Sequence, residues 1–492
     1  MLKQVLGYIP VNVANIVISF GTIALLTRLL SGEEFGRYAL AMVSLQFGHM
    51  TAFSWIEAGI SRFYARAERT GELATHLKTS YITAVILSII GLPLFFAIIY
   101  FLPFDDTRMK MLLAYALGST CLTIIYNIGI ESHKAAHRIG RYSALHSSQR
   151  LLGFSVGIIL ILITDLREIA PFVGIILANM IAIIIDLPFM LNKMKSGKVD
   201  QALVRQYFAY GMPICLSLIL SYILSQGDLF FIKYFMGDLA VGQYNAGYNL
   251  ANRSLDVLFI WIAMAVTPIA ITTLEKEGLE KTKHVLRNYA GILLLFILPT
   301  ATGIALVAEP AGFILGQSVR AEAVKIMPWI AFAGVMNGFI AYYAQRAFVL
   351  SQRTGMLAIT MILPVLINIG LNIWLIPLYG LKGAIWATLV AYGVGLVLSL
   401  VVARRYFPLP LPFMALLKVG FACLVMSGIV LSLPQSLTNL PDIAELLIKA
   451  SVGALVYGFT VFVTNAAHCR ELITDMVRAY KARTASKQVS AQ

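Results

Sequence analysis

Four stretches of this chain place polar side chains at helical spacing inside apolar sequence. They are Asn12, Asn15, Ser19 and Thr22; Gln46, His49 and Glu57; Ser217, Ser221, Ser225 and Asp228; and Asn245, Asn249, Asn252 and Asp256. Within each set the steps are 3, 4 or 7 residues, or sums of these, so each set lines one face of a helix. Arg253 stands one turn from both Asn249 and Asp256. A guanidinium there presents paired N–H donors suited to an anionic, phosphate-like group; the competing reading is a self-contained Arg253–Asp256 ion pair. Glu57, Asp228 and Asp256 are candidates for ion coupling or gating, and His49 adds a titratable ring close to the position that corresponds to Asp256. Arg28 and Lys233 end apolar runs and read as flanking the outer mouth of a cavity or as interfacial anchors.

The elements that carry these residues are membrane helices. The chain has 492 residues, of which 59% are hydrophobic and 13% charged, with a mean hydropathy of +0.81. Soluble domains run near 25% charged, so this chain is read as a polytopic membrane protein. Apolar runs of about 20 residues place 14 spans near 8–30, 36–60, 79–102, 109–130, 145–164, 169–190, 208–235, 241–272, 286–308, 323–348, 355–377, 381–403, 413–433 and 443–465. Only Lys3 precedes the first run, which is long enough to span, so no cleavable leader is expected.

With both ends on one side, the segments on that side hold 27 Lys and Arg against 10 on the other, and Arg253 within a span completes the 38. The positive-inside rule then puts both termini in the cytoplasm of a cell (inner) membrane. The net charge of +14 reads as topology rather than nucleic-acid binding. No loop is long enough to house a folded domain.

A segment near the start returns about 206 residues later: LTRLLSGEEFGRYALA from Leu26 to Ala41 matches FIKYFMGDLAVGQYNA from Phe231 to Ala246. His137-Arg138-Ile139-Gly140 resembles Gln352-Arg353-Thr354-Gly355 at an offset of 215, and Val173-Gly174 answers Lys382-Gly383 at 209. Spans 1–6 and 7–12 are therefore two copies inserted in the same sense, a scaffold for alternating access. The expected division is an N-terminal bundle over 1–191, a linker over 192–207, a second bundle over 208–405, an added hairpin over 406–466 and a basic tail over 467–492. The polar faces fall on spans 1, 2, 7 and 8, the corresponding spans of the two copies, and so line a central cavity. The competing reading is that small polar residues bridge packed helices; Asn368 and Asn372 in span 11 are assigned to that role. Pro213 and Pro268 sit in lining spans and mark kinks.

Several chemistries are missing from the sequence. Gly197-Lys198 is followed by Val199, which rules out a P-loop, and no His-Glu-x-x-His or Gly-x-Ser-x-Gly occurs. Four scattered cysteines give neither a disulfide frame nor a zinc site. His133, His137 and His146 lie in a basic loop and are not read as metal ligands. The tail's Arg470, Arg478, Lys481, Arg483 and Lys487 read as a solvated segment near anionic headgroups. No cofactor is expected.

The run from Leu30 to Ala41, followed by WIEAGISRF from Trp55 to Phe63, resembles the start of Wzx-like polysaccharide flippases. These form the polysaccharide transporter branch of the multidrug/oligosaccharidyl-lipid/polysaccharide exporter superfamily. The resemblance extends over the whole chain and implies an all-α fold of 14 transmembrane helices, two six-helix repeats facing a central cavity and a C-terminal hairpin. It implies a transporter rather than an enzyme: one that flips a polyprenyl-pyrophosphate-linked oligosaccharide from the cytoplasmic to the outer leaflet for O-antigen or exopolysaccharide synthesis. Its implied partners are the undecaprenyl-pyrophosphate-linked glycan, the bilayer, and glycosyltransferases and a polymerase of the same pathway, with no nucleic acid. Competing readings are a cation-coupled drug antiporter, of which this acid-free span 1 is untypical, and a lipid II flippase, whose signature after span 1 differs from Glu-Phe-Gly. A membrane glycosyltransferase would need a larger outer loop or a carboxylate cluster, and Asp105-Asp106 is the only acidic pair in the outer loops besides Glu33-Glu34.

Overall fold

A computed structural model describes residues 9–101, 106–434, 440–471 and 474. Lys3, Asp105 and the tail's Arg478, Lys481, Arg483 and Lys487 lie outside the described residues. In chain order the helices are α1 (Ile9–Leu29), α2 (Gly32–Ala52), α3 (Ser54–Arg69), α4 (Leu73–Phe101), α5 (Thr107–Ala135), α6 (Ile139–Ile163), α7 (Ala170–Met194), α8 (Gln201–Gln226) and α9 (Asp228–Met236). They continue as α10 (Asp238–Glu277), α11 (Leu279–Leu306), α12 (Gln317–Phe339), α13 (Gly355–Tyr379), α14 (Leu381–Tyr406), α15 (Phe413–Leu431) and α16 (Asp442–Thr464). Among the described residues there is no strand, as a chain in hydrocarbon must satisfy its backbone within each segment or in a closed barrel.

Thirteen of these segments are long and apolar enough to cross a membrane. The expected second span is divided: α2 and α3 meet at Phe53, and α2 carries Glu33, Glu34, Arg37, Gln46 and His49. A second interruption is a π-turn over Ile340–Ala344, after which the helix of α12 resumes as Arg346–Leu350. Neither break is at a proline; α8 runs on through Pro213 and α10 through Pro268.

The chain forms two compact units. The first comprises Met1–Ala246, Ile314–Ala323 and Thr354–Ala391, and the second Gly247–Phe313, Val324–Arg353 and Tyr392–Gln492. In the second unit α15 and α16 pack on α11 through Leu294, Leu295, Val419, Cys423 and Val461. The Tyr457 hydroxyl donates to the Leu295 carbonyl at 2.6 Å, satisfying a phenol that lipid would leave without a partner.

The duplication is visible in the backbone. His137 and Gln352 both take left-handed φ, at 54° and 58°. The following arginines donate N–H back to the carbonyls of His133 (2.9 Å) and Phe348 (2.8 Å), while His137 and Gln352 donate to Lys134 and Val349, both at 3.1 Å. Each is a Schellman closure that ends one helix and starts the next.

The Gly-x-Tyr elements of the repeated segment, Gly36–Tyr38 and Gly242–Tyr244, are helical rather than turns, lying within α2 and α10, and they meet each other. A Cβ on Gly36 would collide with the Asp238 carbonyl and come within 3.0 Å of the Gly242 nitrogen. A Cβ on Gly242 would in turn strike the Gly32 carbonyl. Backbone thus packs on backbone at the starts of α2 and α10. Gly36→Val is expected to cost at least about 1–3 kcal/mol through overpacking, seen as a lower midpoint of thermal unfolding of the detergent-solubilised protein.

Candidate functional site

Asp228 is the most enclosed of the singled-out residues, with 1% of its surface exposed. It opens α9 just past Gly227, where α8 ends. Its Oδ1 accepts from Asn372 Nδ2 at 2.6 Å, and its Oδ2 accepts from the hydroxyls of Tyr244 at 2.9 Å and Thr388 at 2.5 Å. Asn372 also donates to Asn368 Oδ1 at 3.1 Å. Four helices of the first unit therefore converge on one carboxylate, and all of its hydrogen-bond donors are neutral. Asn372 Oδ1 and Asn368 Nδ2 are buried with no hydrogen-bond partner, which leaves one spare acceptor and one spare donor beside the acid. An ionisable group at membrane depth is costly and marks an ion pathway or coupling site.

Sequence reasoning assigned Asn368 and Asn372 to helix packing, read Tyr244 only as part of the repeated Gly-x-Tyr segment and did not single out Thr388. The repeat offsets carried a usable signal. An offset of 215 relates Asn368 and Asn372 to Gly153 and Gly157, 209 relates Thr388 to Asn179, and 206 relates Asp228 to Thr22. In the first copy a Cβ on Gly174 would meet Gly157 at 2.7 Å, so α6 and α7 close on each other through glycine. In the second copy the corresponding positions of α13 hold two amides around an acid. The copies share a frame and differ in the polar group they enclose.

His49 and Glu57 straddle the break at Phe53. His49 is 5% exposed and its Nε2 lies 2.9 Å from Glu57 Oε1, which also accepts from Asn127 Nδ2 at 2.7 Å. The Phe53 N–H closes α2 on the His49 carbonyl at 2.9 Å, so the residue that ends this helix also holds the acid of the next. His49 Nδ1 is buried without a partner. The pair lies within the first unit, each member about one helical turn from the bend it bridges.

Asp256 and Arg253 belong to the second unit. Asp256 accepts from Asn252 Nδ2 at 3.2 Å, one turn back on α10, and Asn252 Oδ1 lies against Gly334. Arg253 is exposed and makes no ion pair with Asp256 among the described residues, so the self-contained pair does not form. Its guanidinium is presented outward from the helix.

The remaining residues are more scattered. Asn12 and Ser221 are exposed, and Asn15, Ser19, Gln46, Ser225, Asn249 and Asn252 are half-buried. Asn245 is buried. Asn15 Oδ1 is buried without a partner, while Ser225 Oγ donates to the Tyr222 carbonyl at 3.1 Å. Arg28 is exposed. Lys233 pairs with Asp238 at 2.6 Å, and Arg37 reaches the same carboxylate at 3.7 Å while donating from Nε to the fully buried Glu168 at 2.9 Å. Arg108 adds a second cation to Glu168 at 3.2 Å. Lys233 thus sits in an ion network beside the Gly36–Gly242 contact, and Arg37, Arg108 and Glu168 were not singled out from sequence. No group of three or more His, Cys, Asp or Glu able to hold a metal occurs among the described residues.

Duplicated, long apolar helices with an acid enclosed among neutral donors make this a multi-pass membrane protein. The chain belongs to the polysaccharide biosynthesis protein family, whose model matches residues 1–274. It is 22% identical over 452 residues to a probable low-salt glycan biosynthesis flippase of Haloferax volcanii, covering 91% of this chain and 92% of that one. A probable flippase of the same organism is 22% identical over 258 residues, 51% of this chain and 52% of the relative. Among solved structures, a lipid II flippase in an inward closed conformation superposes with a TM-score of 0.74 at 16% identity, over 95% of this chain and 100% of that one. An inward-facing multidrug resistance transporter superposes with a TM-score of 0.63 at 14% identity, over 79% and 97%.

Asn372→Leu is expected to lower stability by about 1–3 kcal/mol, because it takes the donor from a buried carboxylate oxygen. Thermal unfolding would record the loss, and adding Asp228→Asn should recover part of it, since a neutral amide oxygen tolerates a missing donor better than a carboxylate.

Proposed function

We propose that this protein flips a polyprenyl-pyrophosphate-linked oligosaccharide from the cytoplasmic to the outer leaflet of a cell membrane, for cell-surface or exopolysaccharide synthesis. Transport proceeds by alternating access between the bundles of residues 1–191 and 208–405, with both termini in the cytoplasm. The family and the likeness to the Haloferax flippases support a lipid-linked glycan as cargo. The exposed Arg253 guanidinium, with Asn249 and Asn252 on the same helix, supplies donors for the pyrophosphate.

The observation that carries the driving force is Asp228, a carboxylate sealed in the first unit without a cation. A proton or a monovalent cation entering there neutralises it, and its loss restores a charge that the four surrounding helices must accommodate by moving. Glu57 with His49, and Asp256, are further points at which titration biases the helices. The chain is thus a secondary transporter, and an ion gradient rather than ATP does the work. The helix starts packed through Gly36 and Gly242, with the Lys233–Asp238–Arg37 network, form the closure on the outer side, which must part for release.

The test is transfer of a fluorescent lipid-linked oligosaccharide across proteoliposome membranes under an imposed proton or sodium gradient. Arg253→Ala is expected to slow transfer roughly tenfold to a hundredfold, the loss of charge-assisted hydrogen bonds. Asp228→Asn should leave a slow, gradient-independent leak. Gradient dependence surviving in Asp228→Asn would remove the coupling assignment. Transfer of lipid II with no transfer of the oligosaccharide lipid would instead make this a lipid II flippase.

A further inference from the structure

At one end of the first unit, three cations surround a single aromatic ring. Arg141 Cζ lies 4.1 Å from the Phe189 centroid, Arg138 Cζ 5.2 Å and Lys193 Nζ 5.3 Å. Arg141 is committed: its Nε and Nη2 donate to Asp186 Oδ1 at 2.9 and 2.7 Å, and the same carboxylate is held by the buried His133 at 2.9 Å. The side chains of Arg138 and Lys193 have no hydrogen-bonded or ion-paired partner among the described residues. Arg138 repels Lys193, and the Glu68 carboxylate attracts it. Three like charges, each within about 5 Å of one centroid, are thus balanced by two carboxylates, one of which is already taken.

The position suits a ligand that is half charge and half hydrocarbon. Arg138 lies in the break between the candidate spans α5 and α6, and Lys193 is the penultimate residue of α7, so both are at a membrane–water boundary. Leading up to Lys193 on α7, at successive steps of four, are Leu177, Ile181, Ile185 and Phe189, of which the three aliphatic residues are exposed. Gly140 beside Arg138 has open space where a side chain would be. An apolar track runs along the helix and ends in paired, unneutralised cations. A soluble anion would use only the cations, whereas a lipid uses both.

We propose that Arg138 and Lys193, arrayed by Phe189, bind the phosphate of an anionic phospholipid whose acyl chain lies along Ile181 and Ile185. This site is separate from the cargo contacts placed on Arg253 and does not depend on that assignment. The bound lipid neutralises the excess charge and links the start of α6 to the end of α7. The Arg141–Asp186–His133 cluster orders the protein side of the site and does not contact the ligand.

The test uses delipidated, detergent-purified full-length protein titrated with phosphatidylglycerol or phosphatidylcholine, with bound lipid counted by native mass spectrometry. Phosphatidylglycerol is expected to bind roughly tenfold or more tightly than phosphatidylcholine, a preference of the size expected for two interfacial cations. Arg138→Gln with Lys193→Gln should abolish the preference while leaving the thermal midpoint in phosphatidylcholine unchanged. Should that double variant fold poorly, Phe189→Leu, which keeps the bulk and loses the ring, should weaken the preference severalfold. The proposal is overturned if the variants keep the preference, or if millimolar inorganic pyrophosphate displaces phosphatidylglycerol, which would mean a soluble-anion site. Displacement by undecaprenyl phosphate at equal concentration would overturn it in favour of a cargo subsite.

Discussion

A polar group inside a membrane has no water to turn to, and the rest of this structure follows from that constraint. Backbone N–H and C=O groups are closed within helices, and where a helix stops, its last groups are bonded by the turn that starts the next, as at His137 and Gln352. Side chains obey the same rule. Hydroxyls such as Tyr457 seek carbonyls, and Asp228 collects three neutral donors. An unmet carboxylate at that depth costs more than any single packing contact, so its donors fix how α9, α10, α13 and α14 meet.

The same constraint explains why duplication did not produce two identical halves. The frame is held by features that need no polar partner: glycine against backbone at Gly36 and Gly242, and again at Gly157 and Gly174. Onto that frame the second copy places amides at Asn368 and Asn372 and an acid at Asp228, where the first copy has Gly153, Gly157 and Thr22. A packing contact in one half is a charge-holding site in the other. The first copy places its own titratable pair elsewhere, at His49 and Glu57 across the break in the second span.

Lys233 illustrates how far a residue's type alone can be read. Its place at the end of an apolar run marked it as flanking the outer mouth or as an interfacial anchor, and its amine is tied to Asp238, which shares Arg37 with the buried Glu168. Arg253 went the other way: the ion pair open to it on its own helix is not made, because Asn252 serves Asp256 and the guanidinium faces outward. In both cases the residue's type and spacing left its partner open, and the three-dimensional arrangement decided it.

Composition, the 20-residue apolar runs, the duplicated Gly-x-Tyr segment and the identity of the intramembrane acids were legible in the sequence, because hydropathy and helical period are local and need no knowledge of neighbours. The break at Phe53 was partly legible, since the polar load of α2 was visible although its consequence was not. The partners of Asp228 were decided by tertiary structure alone. Asn372 and Thr388 stand 144 and 160 residues away, and the spacing that marks an amide as packing also suits it to hold a carboxylate. Which of the two it does depends on the helix placed opposite, and that is settled by backbone close approach and by the need to leave no charge unmet in hydrocarbon.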